Sequence, residues 1–416
     1  LSVNATISKK SIFARKNYFY PDLPKGYQIS QYELPIVSNG SIEIENGNGK
    51  KNIGITRAHL EEDAGKSIHD LFDDASAIDL NRAGTPLIEI VSEPELSNAE
   101  EAVSYLKKIH SLVRYLEISD GNMEQGSFRC DANVSVKRTN ANDLGVRAEI
   151  KNINSFKFVE NAINHEIERQ IDILENGGKV IQETRLYDPN KNETRSMRSK
   201  EEANDYRYFP DPDLLPVIID EETITNIKKS MPELPDEKKK RFMKDFGLSE
   251  YDTSILISDK LLSEFFESII NLKKLDSKMV ANWIITEVLA LAKKSNLTVE
   301  NYPVKPEQLS YLLSNVADET ISNKQAKEIF LRMWDGGENP EEIIKNEGLE
   351  QISNTEELNK IVENVLKNNY KCVGDYRKGK VKLFGFFVGE IMKETKGRAN
   401  PKLVSKILKE QLNKEC

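Results

Sequence analysis

Apolar and polar residues alternate along two short stretches of the chain, the pattern of strands with one packed face and one polar face. In residues 128–136 the apolar positions are Phe128, Cys130, Ala132, Val134 and Val136. In residues 147–151 the polar side carries Arg147, Glu149 and Lys151. The segment between the stretches is polar and contains Gly145. We therefore predict an antiparallel hairpin with a long loop.

This hairpin predicts a pair of neighbouring carboxylates. If the loop folds symmetrically about Asn140, Asp131 lies opposite Glu149, and two like charges so placed are destabilising unless a cation lies between them. Oxygen ligands of this kind suit Mg²⁺ better than zinc. The alternative is a solvated sheet face on which Arg129, Arg147 and Lys151 neutralise the acids, and the spacing alone favours that alternative.

Two further stretches read as strands that carry acidic residues. Residues 53–63 end in a crowded group: Arg57, His59, Glu61, Glu62 and Asp63. His59 fits a metal ligand, an acid–base group or a structural histidine, and spacing does not choose among them. Residues 87–91 form an apolar strand around Glu89, which needs a partner if it is buried, and Arg82 is one candidate.

Helical periodicity follows in two places. Residues 97–100 have the spacing of a capping box and precede an apolar stripe: Val103, Leu106, Ile109, Val113 and Leu116. A second helix is predicted over residues 155–176, ending at Gly177, with the apolar stripe Val159, Ile163, Ile167, Ile171 and Leu174. Residues 184–195 predict a strand, a turn and a second strand. From residue 231 onward the pattern is helical, with short Gly, Asn and Pro breaks.

Composition narrows the class of protein. A chain of 416 residues is long enough for two to four domains. It contains no apolar run of the roughly 18 residues that span a membrane, so we expect neither a transmembrane helix nor a secretory signal. Its three cysteines form no CxxC pair, which argues against a zinc site and a disulfide framework and favours a reducing compartment.

Charge is distributed unevenly. The chain has a formal net charge of −9, yet residues 377–414 contain eleven Lys or Arg against three Glu, a local charge of +8. Such a segment fits a phosphate backbone, although lysine-rich helix faces are also common as solvated surface. Near the start, residues 12–31 surround a Pro-rich turn with tyrosines and basic residues, a mixture able to hold phosphate and stack on a base or ribose.

Eight motifs are spread over nearly the whole chain: residues 15–22 (RKNYFYPD), 53–66 (IGITRAHLEEDAGK), 79–82 (DLNR), 84–94 (GTPLIEIVSEP), 126–133 (GSFRCDAN), 205–210 (DYRYFP), 233–236 (ELPD) and 396–401 (KGRANP). Together they closely resemble the GatB family of aspartyl/glutamyl-tRNA amidotransferase subunits.

The resemblance implies a subunit that uses ATP to phosphorylate the side-chain carboxylate of Glu on tRNA(Gln) or Asp on tRNA(Asn). Ammonia released from glutamine by an amidase subunit then displaces the phosphate. Phosphoryl transfer of this kind uses Mg²⁺, so the implied cofactors are ATP and Mg²⁺. The implied partners are the amidase subunit, a small third subunit and misacylated tRNA, with no membrane. The expected compartment is the bacterial cytoplasm or an organelle of bacterial descent.

Matching the family motifs residue by residue gives a set of expected site residues. Those expected to hold the metal and act in catalysis are Glu62, Asp131 and Glu149, with Arg129 as a further catalytic residue. Those expected to bind the nucleotide are Lys16, Tyr18, Tyr20 and Arg57. Those expected to bind tRNA are Lys396, Arg398 and Lys402.

The implied fold is α+β. We expect an antiparallel-sheet catalytic cradle domain over residues 1–230, an all-α domain over residues 231–348, and a small YqeY-like helical tail domain over residues 349–416. Family members begin with a Gly-Leu-Glu-Val-His strand that completes the metal site, and this chain starts after it. The sequence is then either partial or that of a protein with impaired activity, such as a noncatalytic tRNA-docking or scaffold protein. A stand-alone metal-dependent hydrolase would explain the acids but not the basic tail.

Overall fold

The chain, seen in a computed structural model, forms two compact units, Leu1–Leu234 and Pro235–Cys416. The structure describes residues 1–47, 49–68, 74–199, 206–348, 355–395, 399 and 401–413. The first unit combines strands with helices and the second is helical, which confirms the predicted α+β class. The sequence predicts a boundary at residue 231, and the first unit ends at Leu234. The further division near residue 348 stays a prediction.

The first unit carries all the strands of the described chain. In chain order they are β1 (Thr6–Ile7), β2 (Lys10–Ser11), β3 (Ala14–Asn17), β4 (Tyr27–Ser30), β5 (Val37–Asn46), β6 (Gly49–Glu62), β7 (Lys66–Ile68), β8 (Ala77–Asp79), β9 (Pro86–Ser92), β10 (Ala132–Val134), β11 (Ala148–Lys151), β12 (Glu183–Asp188), β13 (Glu193–Ser199), β14 (Phe209–Pro210) and β15 (Val217–Ile218). The helices of this unit are α1 (Ala99–Tyr115), α2 (Phe156–Glu175) and α3 (Glu221–Ser230).

Two four-stranded sheets form the frame of this unit. The first has the order β1-β5-β6-β9, and every neighbouring pair in it is antiparallel. The second has the order β10-β11-β12-β13, in which β11 and β12 are parallel and the other pairs antiparallel. The parallel pair departs from the predicted all-antiparallel arrangement because α2 lies between β11 and β12 in sequence, and parallel neighbours require such a crossover. A smaller sheet, β14-β3-β4, adds a third layer of strands.

Helix α1 packs against both large sheets. Its first turn places Ala99 and Ala102 in a buried cluster with Val134 and Ile150 of the second sheet. Further along, its buried residues Tyr105, Ile109, Leu112 and Val113 pack with Ile42, Ile44, Ile53 and Ile55 of the first sheet. Of the predicted stripe only Ile109 and Val113 are buried, and Val103, Leu106 and Leu116 are half-buried, so the face that connects the two sheets is shifted toward Tyr105 and Leu112.

The caps and faces of the helices differ from the prediction in detail. Helix α1 is capped by Asn98, whose side chain accepts from the Glu101 amide, rather than by Ser97. Helix α2 begins after Ser155 as predicted. Its last two predicted core residues, Ile171 and Leu174, are exposed by 36% and 42%, because the helix there buries polar side chains that have partners, such as Gln170.

The hairpin strands are shorter than predicted. The sequence predicts a strand over residues 128–136, whereas β10 contains only Ala132–Val134. Before β10, Phe128 packs edge-to-face on His110, and the Arg129 guanidinium turns toward Asp63. The residues ahead of β10 are therefore held by side-chain contacts to neighbouring segments instead of by a strand ladder.

The second unit is a series of helices. They are α4 (Pro235–Asp245), α5 (Glu250–Leu256), α6 (Lys260–Leu272), α7 (Ser277–Trp283), a π-helical turn (Ile284–Val288), α8 (Leu289–Ser295), a 3₁₀ turn (Val299–Asn301), α9 (Pro306–Ala317), α10 (Asn323–Gly336), α11 (Pro340–Asn346), α12 (Thr355–Asn368), α13 (Tyr370–Arg377), α14 (Leu383–Glu394) and α15 (Pro401–Leu412). Apolar residues from Phe242 to Ile344 in the sequence form one buried cluster, and those from Leu358 to Leu412 form another. Within the described residues, none of the helices has the length and apolar character needed to cross a membrane.

Candidate metal centre

Three potential metal ligands lie together on the first sheet. His59 and Glu61 are two residues apart on β6 and so share one face, and β9 places Glu89 directly opposite His59. The His59 Nε2 atom lies 3.7 Å from Glu61 Oε2 and 3.8 Å from Glu89 Oε2. The ligand atoms of these three residues all lie within 4.8 Å of one another. In the described part of the chain, no other set of three or more His, Cys, Asp or Glu residues is as close.

The chemistry of this group fits a divalent cation. Its donors are two carboxylates, which suit Mg²⁺, and one imidazole, which suits first-row transition metals better than Mg²⁺. The His59–carboxylate distances are longer than a hydrogen bond, so the group is not closed by internal bonding. His59 is 5% exposed, and within the described structure its buried Nδ1 has no hydrogen-bond partner.

Glu61 is held in its ionised form. Its side chain is only 7% exposed, and burial by itself raises the pKa of a carboxyl group. The neighbouring His59, the positive charge of Lys16 and the Ser30 hydroxyl outweigh this effect and lower the pKa of Glu61 below its ordinary value. An ionised carboxylate is the form that binds a metal.

Glu62, the predicted ligand, lies on the other face of β6. Its carboxylate contacts the Lys25 ammonium, and its Oε1 accepts a hydrogen bond from the Ile29 amide at 2.7 Å. The Gln28 side chain donates to the Glu62 carbonyl at 2.6 Å. These contacts join β6 to β4. The metal-binding role of Glu62 stays a prediction, and its side chain does not belong to the His59–Glu61–Glu89 group.

The predicted register of the hairpin is wrong by two residues. Glu149 lies opposite Asn133 in the ladder, and extending that register places Asp131 opposite Lys151. The shift is an even number, so Asp131 and Glu149 still lie on one face of the sheet. The ten-residue segment between residues 136 and 147 does not fold symmetrically about Asn140, which was the assumption behind the predicted pairing.

A lysine occupies the position where a metal was expected. Lys151 Nζ lies 2.7 Å from Asp131 Oδ2 and 3.5 Å from Glu149 Oε1. Burial alone would lower the pKa of Lys151, but the charges of Asp131 and Glu149 and their hydrogen bonds raise it overall. Glu149 also accepts a hydrogen bond from the Thr184 hydroxyl at 2.9 Å. Of the three basic residues in the alternative, Lys151 neutralises these acids, whereas Arg129 pairs with Asp63.

The two arginines near these acids both bind Asp63. Arg129 Nη2 lies 2.8 Å from Asp63 Oδ1, and Arg82 Nε lies 3.2 Å from Asp63 Oδ2. Arg82 therefore pairs with Asp63. The sequence had suggested Glu89 as its partner. Arg129 stays a predicted catalytic residue.

Three of the four predicted nucleotide-binding residues, Lys16, Tyr18 and Tyr20, lie in a cluster of tyrosines. Lys16 Nζ lies 4.9 Å from the centre of the Tyr206 ring and 5.8 Å from that of Tyr18. Tyr18 meets the ring of Tyr20 edge-on at 5.8 Å. The pKa of Tyr18 is raised to about 12, first by burial and then by nearby acids including Glu61, so its hydroxyl stays neutral and donates to Gln28.

Sequence reasoning missed the other half of this cluster. The Tyr208 ring packs edge-on with Tyr206 at 6.0 Å and stacks parallel on Tyr32 at 4.4 Å. Strand β14 pairs with β3 and so brings these tyrosines, far away in sequence, next to Lys16. The signal that could have found them is the DYRYFP stretch, whose density of aromatic residues is unusual for a connecting segment.

Arg57 lies on the same face of β6 as His59 and Glu61. It lies opposite Val91 of β9, and this pair is two residues along each strand from the His59–Glu89 pair. Its Nε atom is buried and has no hydrogen-bond partner among the described residues. A buried guanidinium nitrogen without an acceptor is costly, so this position favours an anionic ligand.

The basic tail is only partly described. Lys396 and Arg398 lie outside the described residues. Lys402 lies on α15, where its Nζ is 3.1 Å from Glu319 Oε1 and its side chain is 87% exposed. The basic residues of the tail that the structure describes are exposed: Arg377, Lys378, Lys380, Lys382, Lys393, Lys402, Lys406 and Lys409.

Comparison with known proteins identifies the class first. Residues 1–225 match the family model described as the GatB/GatE catalytic domain, and residues 264–412 match the one described as the GatB domain. The candidate metal centre, the tyrosine cluster and Arg57 all lie in the part of the chain that matches the catalytic domain.

Curated relatives make the assignment specific. The chain is 58% identical to the GatB subunit of the aspartyl/glutamyl-tRNA(Asn/Gln) amidotransferase of Thioalkalivibrio sulfidiphilus over 413 residues, which is 99% of this chain and 87% of the relative. It is 56% identical to the protein of the same name from Alkalilimnicola ehrlichii over 415 residues, again 99% and 87% of the two chains. The chain therefore belongs to the GatB family of aspartyl/glutamyl-tRNA(Asn/Gln) amidotransferase subunits.

Proposed function

We propose that this chain is the subunit that activates misacylated tRNA in an ATP-dependent amidotransferase. The side-chain carboxylate of Glu on tRNA(Gln) or Asp on tRNA(Asn) is phosphorylated by ATP. Ammonia then displaces the phosphate and gives Gln-tRNA(Gln) or Asn-tRNA(Asn). The observation that carries the proposal is the His59–Glu61–Glu89 group beside Lys16 and Arg57, within a chain of this family. Membership of the family favours the enzyme subunit over the docking or scaffold protein.

The residues of the first sheet have complementary tasks in this proposal. His59, Glu61 and Glu89 would hold Mg²⁺, which when bound offsets the negative charge of the ATP phosphates and the substrate carboxylate. Arg57, on the same face of β6 as His59 and Glu61, and Lys16 of β3, whose charge acts on Glu61, are both suited to phosphate oxygens. Glu62, Asp131 and Glu149 are further proposed ligands. For Asp131 and Glu149 to bind a metal, the Lys151 ammonium must first be displaced.

The tyrosine cluster is the proposed binding site of the nucleotide. Tyr32 is 55% exposed and stacked on Tyr208, and Tyr20 is 42% exposed. Aromatic faces stack on a base without the need for a matching hydrogen-bond pattern. Tyr18 and Tyr20 would contact the nucleotide from this cluster, with Lys16 directed at its phosphates.

The remaining proposals concern the partner subunits, the binding of tRNA and the compartment of the assembled enzyme. The amidase subunit that releases ammonia and the small third subunit are the proposed partners. The exposed basic residues of the tail, with Lys396, Arg398 and Lys402, would bind the tRNA backbone through contacts that do not depend on sequence. The bacterial cytoplasm, or an organelle of bacterial descent, is the compartment in which such a complex would work.

The test is transamidation by the chain assembled with its amidase and small subunits. Glu-tRNA(Gln) and Asp-tRNA(Asn) are supplied separately with ATP, glutamine and Mg²⁺, and the amidated aminoacyl-tRNA is measured. Glu89→Gln should reduce product formation roughly a hundredfold, the scale seen when a preorganised charge at a reacting centre is lost. Glu43→Gln is the matched control, because Glu43 lies on β5 of the same sheet and pairs with Lys50. Product formation that is unchanged in Glu89→Gln would contradict the proposed centre.

A further inference from the structure

We propose that Asp63, Arg82 and Arg129 form an interlock that positions the two acid-bearing sheets of the first unit relative to each other for the reaction. The inference rests on the proposed function, because it concerns how the proposed metal ligands are held. In this role the three side chains act as positioning residues, and the catalytic role of Arg129 stays a separate prediction. They act through the backbone segments that carry Glu61 on one side and Asp131 on the other.

Asp63 is the centre of the interlock. Its side chain is 8% exposed, and a carboxylate so deeply buried needs paired charges and hydrogen bonds. One oxygen faces Arg129 at 2.8 Å and the other faces Arg82 at 3.2 Å. Each oxygen thus binds a different guanidinium, so one carboxylate connects two separate segments of the chain.

The backbone of Asp63 is also fixed. Its amide donates to the Thr85 carbonyl at 2.8 Å, and its carbonyl accepts from the Gly84 amide at 2.9 Å. These two bonds continue the pairing of β6 with the chain that enters β9. Asp63 follows the last residue of β6 and lies two residues after Glu61, so its position fixes the end of the strand that carries the candidate ligands.

Arg82 connects Asp63 to residues 125–126, which precede the first strand of the second sheet. Its Nη1 donates to the Gln125 carbonyl and its Nη2 donates to the Gly126 carbonyl, both at 2.8 Å. Gly126 has φ +75°, and a Cβ atom there would lie 2.8 Å from Arg82 Nη1. A side chain at this position would strain the backbone and would require the Arg82 guanidinium to shift.

Arg129 completes the symmetry of the arrangement. It lies two residues before Asp131, just as Asp63 lies two residues after Glu61. The direct Arg129–Asp63 pair therefore joins the two strands near their acidic residues, and Arg82 fixes the segment that leads to Arg129. A small shift of either strand would have to break this pair or the Arg82 contacts.

The exposure of the two arginines indicates that the interlock has a geometric role and contributes little to the free energy of folding. Arg82 and Arg129 are 40% and 50% exposed, and ion pairs with solvent-exposed partners contribute little to folding. Reacting groups, in contrast, must be held within about half an ångström of the productive geometry. The interlock is suited to that requirement because it constrains three backbone segments with one buried carboxylate.

The experiment measures metal affinity directly, with Mn²⁺ as the probe. The assembled amidotransferase is titrated with Mn²⁺ and followed by electron paramagnetic resonance, and the Mg²⁺ concentration for half-maximal phosphorylation of Glu-tRNA(Gln) is measured in parallel. Asp63→Asn keeps the shape of the side chain and removes its charge. It should raise the Mn²⁺ dissociation constant and the half-maximal Mg²⁺ concentration by about tenfold, the effect typical of residues that orient metal ligands.

Further variants separate positioning from folding. Arg82→Lys keeps the charge but loses the paired donors to Gln125 and Gly126, and should raise both quantities in the same direction. Adding Arg129→Gln to Asp63→Asn should cause little further change, because the two residues act as one unit. Glu338→Gln is the matched control, since Glu338 forms a comparable two-pronged pair with Arg332 in the second unit. It should leave both quantities unchanged.

The outcomes distinguish this inference from the proposed function. If the unaltered complex bound no Mn²⁺ and needed no divalent cation, the proposed centre would be wrong, and the interlock with it. If the unaltered complex bound Mn²⁺ but Asp63→Asn and Arg82→Lys left its affinity unchanged, the interlock alone would be refuted. A lower unfolding temperature with unchanged affinity would likewise refute it, since that result describes a structural ion pair only.

Discussion

Two groups of carboxylates in the first unit look alike in composition and differ in their third member. On the first sheet Glu61 and Glu89 face the imidazole of His59. On the second sheet Asp131 and Glu149 face the ammonium of Lys151. A lysine carries a fixed charge and no acceptor, whereas a neutral imidazole is a metal ligand. The comparison teaches that a pair of acids on a sheet does not by itself define a metal site.

The contact distances make the same distinction. The lysine lies at hydrogen-bond distance from one carboxylate, 2.7 Å, so the second group is satisfied internally. The histidine lies 3.7 and 3.8 Å from its two carboxylates, beyond hydrogen-bond distance. The first group thus has donors that converge without bonding to one another, which is the arrangement that favours an added cation.

The largest expected effect comes from removing the charge of Glu61. Glu61→Gln should reduce ATP-dependent phosphorylation of Glu-tRNA(Gln) by about a hundredfold or more, because it removes a buried ionised ligand at the reacting centre. Asp131→Asn should cause a smaller loss, because its carboxylate is already paired with Lys151. The measurement is the initial rate of ATP hydrolysis coupled to aminoacyl-tRNA in the assembled enzyme. Equal losses in the two variants would show that both groups bind the metal.

A smaller effect is expected from removing the lysine of the second group. Lys151→Met leaves Asp131 and Glu149 without their shared cation, so the unfolding temperature should fall by a few °C. Divalent cations should then restore the loss, since a ligand that binds only the folded state stabilises it. Thermal unfolding with and without Mn²⁺ measures this. A variant that Mn²⁺ does not stabilise would show that the two acids cannot form a site even when the lysine is removed.

The smallest effect concerns the pH dependence of stability. The pKa of Glu61 is lowered in the folded chain, so its ionised form contributes stability above the ordinary carboxyl pKa of 4.5. That contribution is lost as the pH falls through the lowered folded-state value. Denaturant unfolding from neutral pH to acid should therefore show a shallower acid loss in Glu61→Gln than in the unaltered chain. Identical acid profiles would mean that Glu61 is not specially stabilised as a carboxylate.

Much of the frame could be predicted from local patterns. The helical period located α1 and α2 to within one or two residues, and the apolar run located β9 to within one residue at each end, because both signals arise within a single segment. The start of β6 lies four residues before the predicted strand. The family resemblance supplied the activity and the class of cofactor. Alternation on β6 also placed His59 and Glu61 on one face, which is a property of any strand.

Register and long-range pairing could not be obtained in this way. Whether Asp131 faces Glu149 or Lys151 depends on how a ten-residue loop folds, and a shift of two residues leaves the alternation unchanged. The choice of Glu61 rather than Glu62 as the neighbour of Glu89 depends on the register of β6 against β9, which places Glu89 opposite His59. Likewise, Tyr206 and Tyr208 reach Lys16 only because β14 pairs with β3.

The amino-acid sequence by itself determined the position of the helices α1 and α2, the helical character of the second unit, the family and the acidic residues of the first unit. Only the tertiary structure decided that His59, Glu61 and Glu89 converge while Asp131 and Glu149 enclose a lysine. The physical reason is that periodicity constrains neighbours along one segment. Cross-strand register, by contrast, is selected by packing and side-chain contacts between segments, such as those of Asp63 with Arg82 and Arg129.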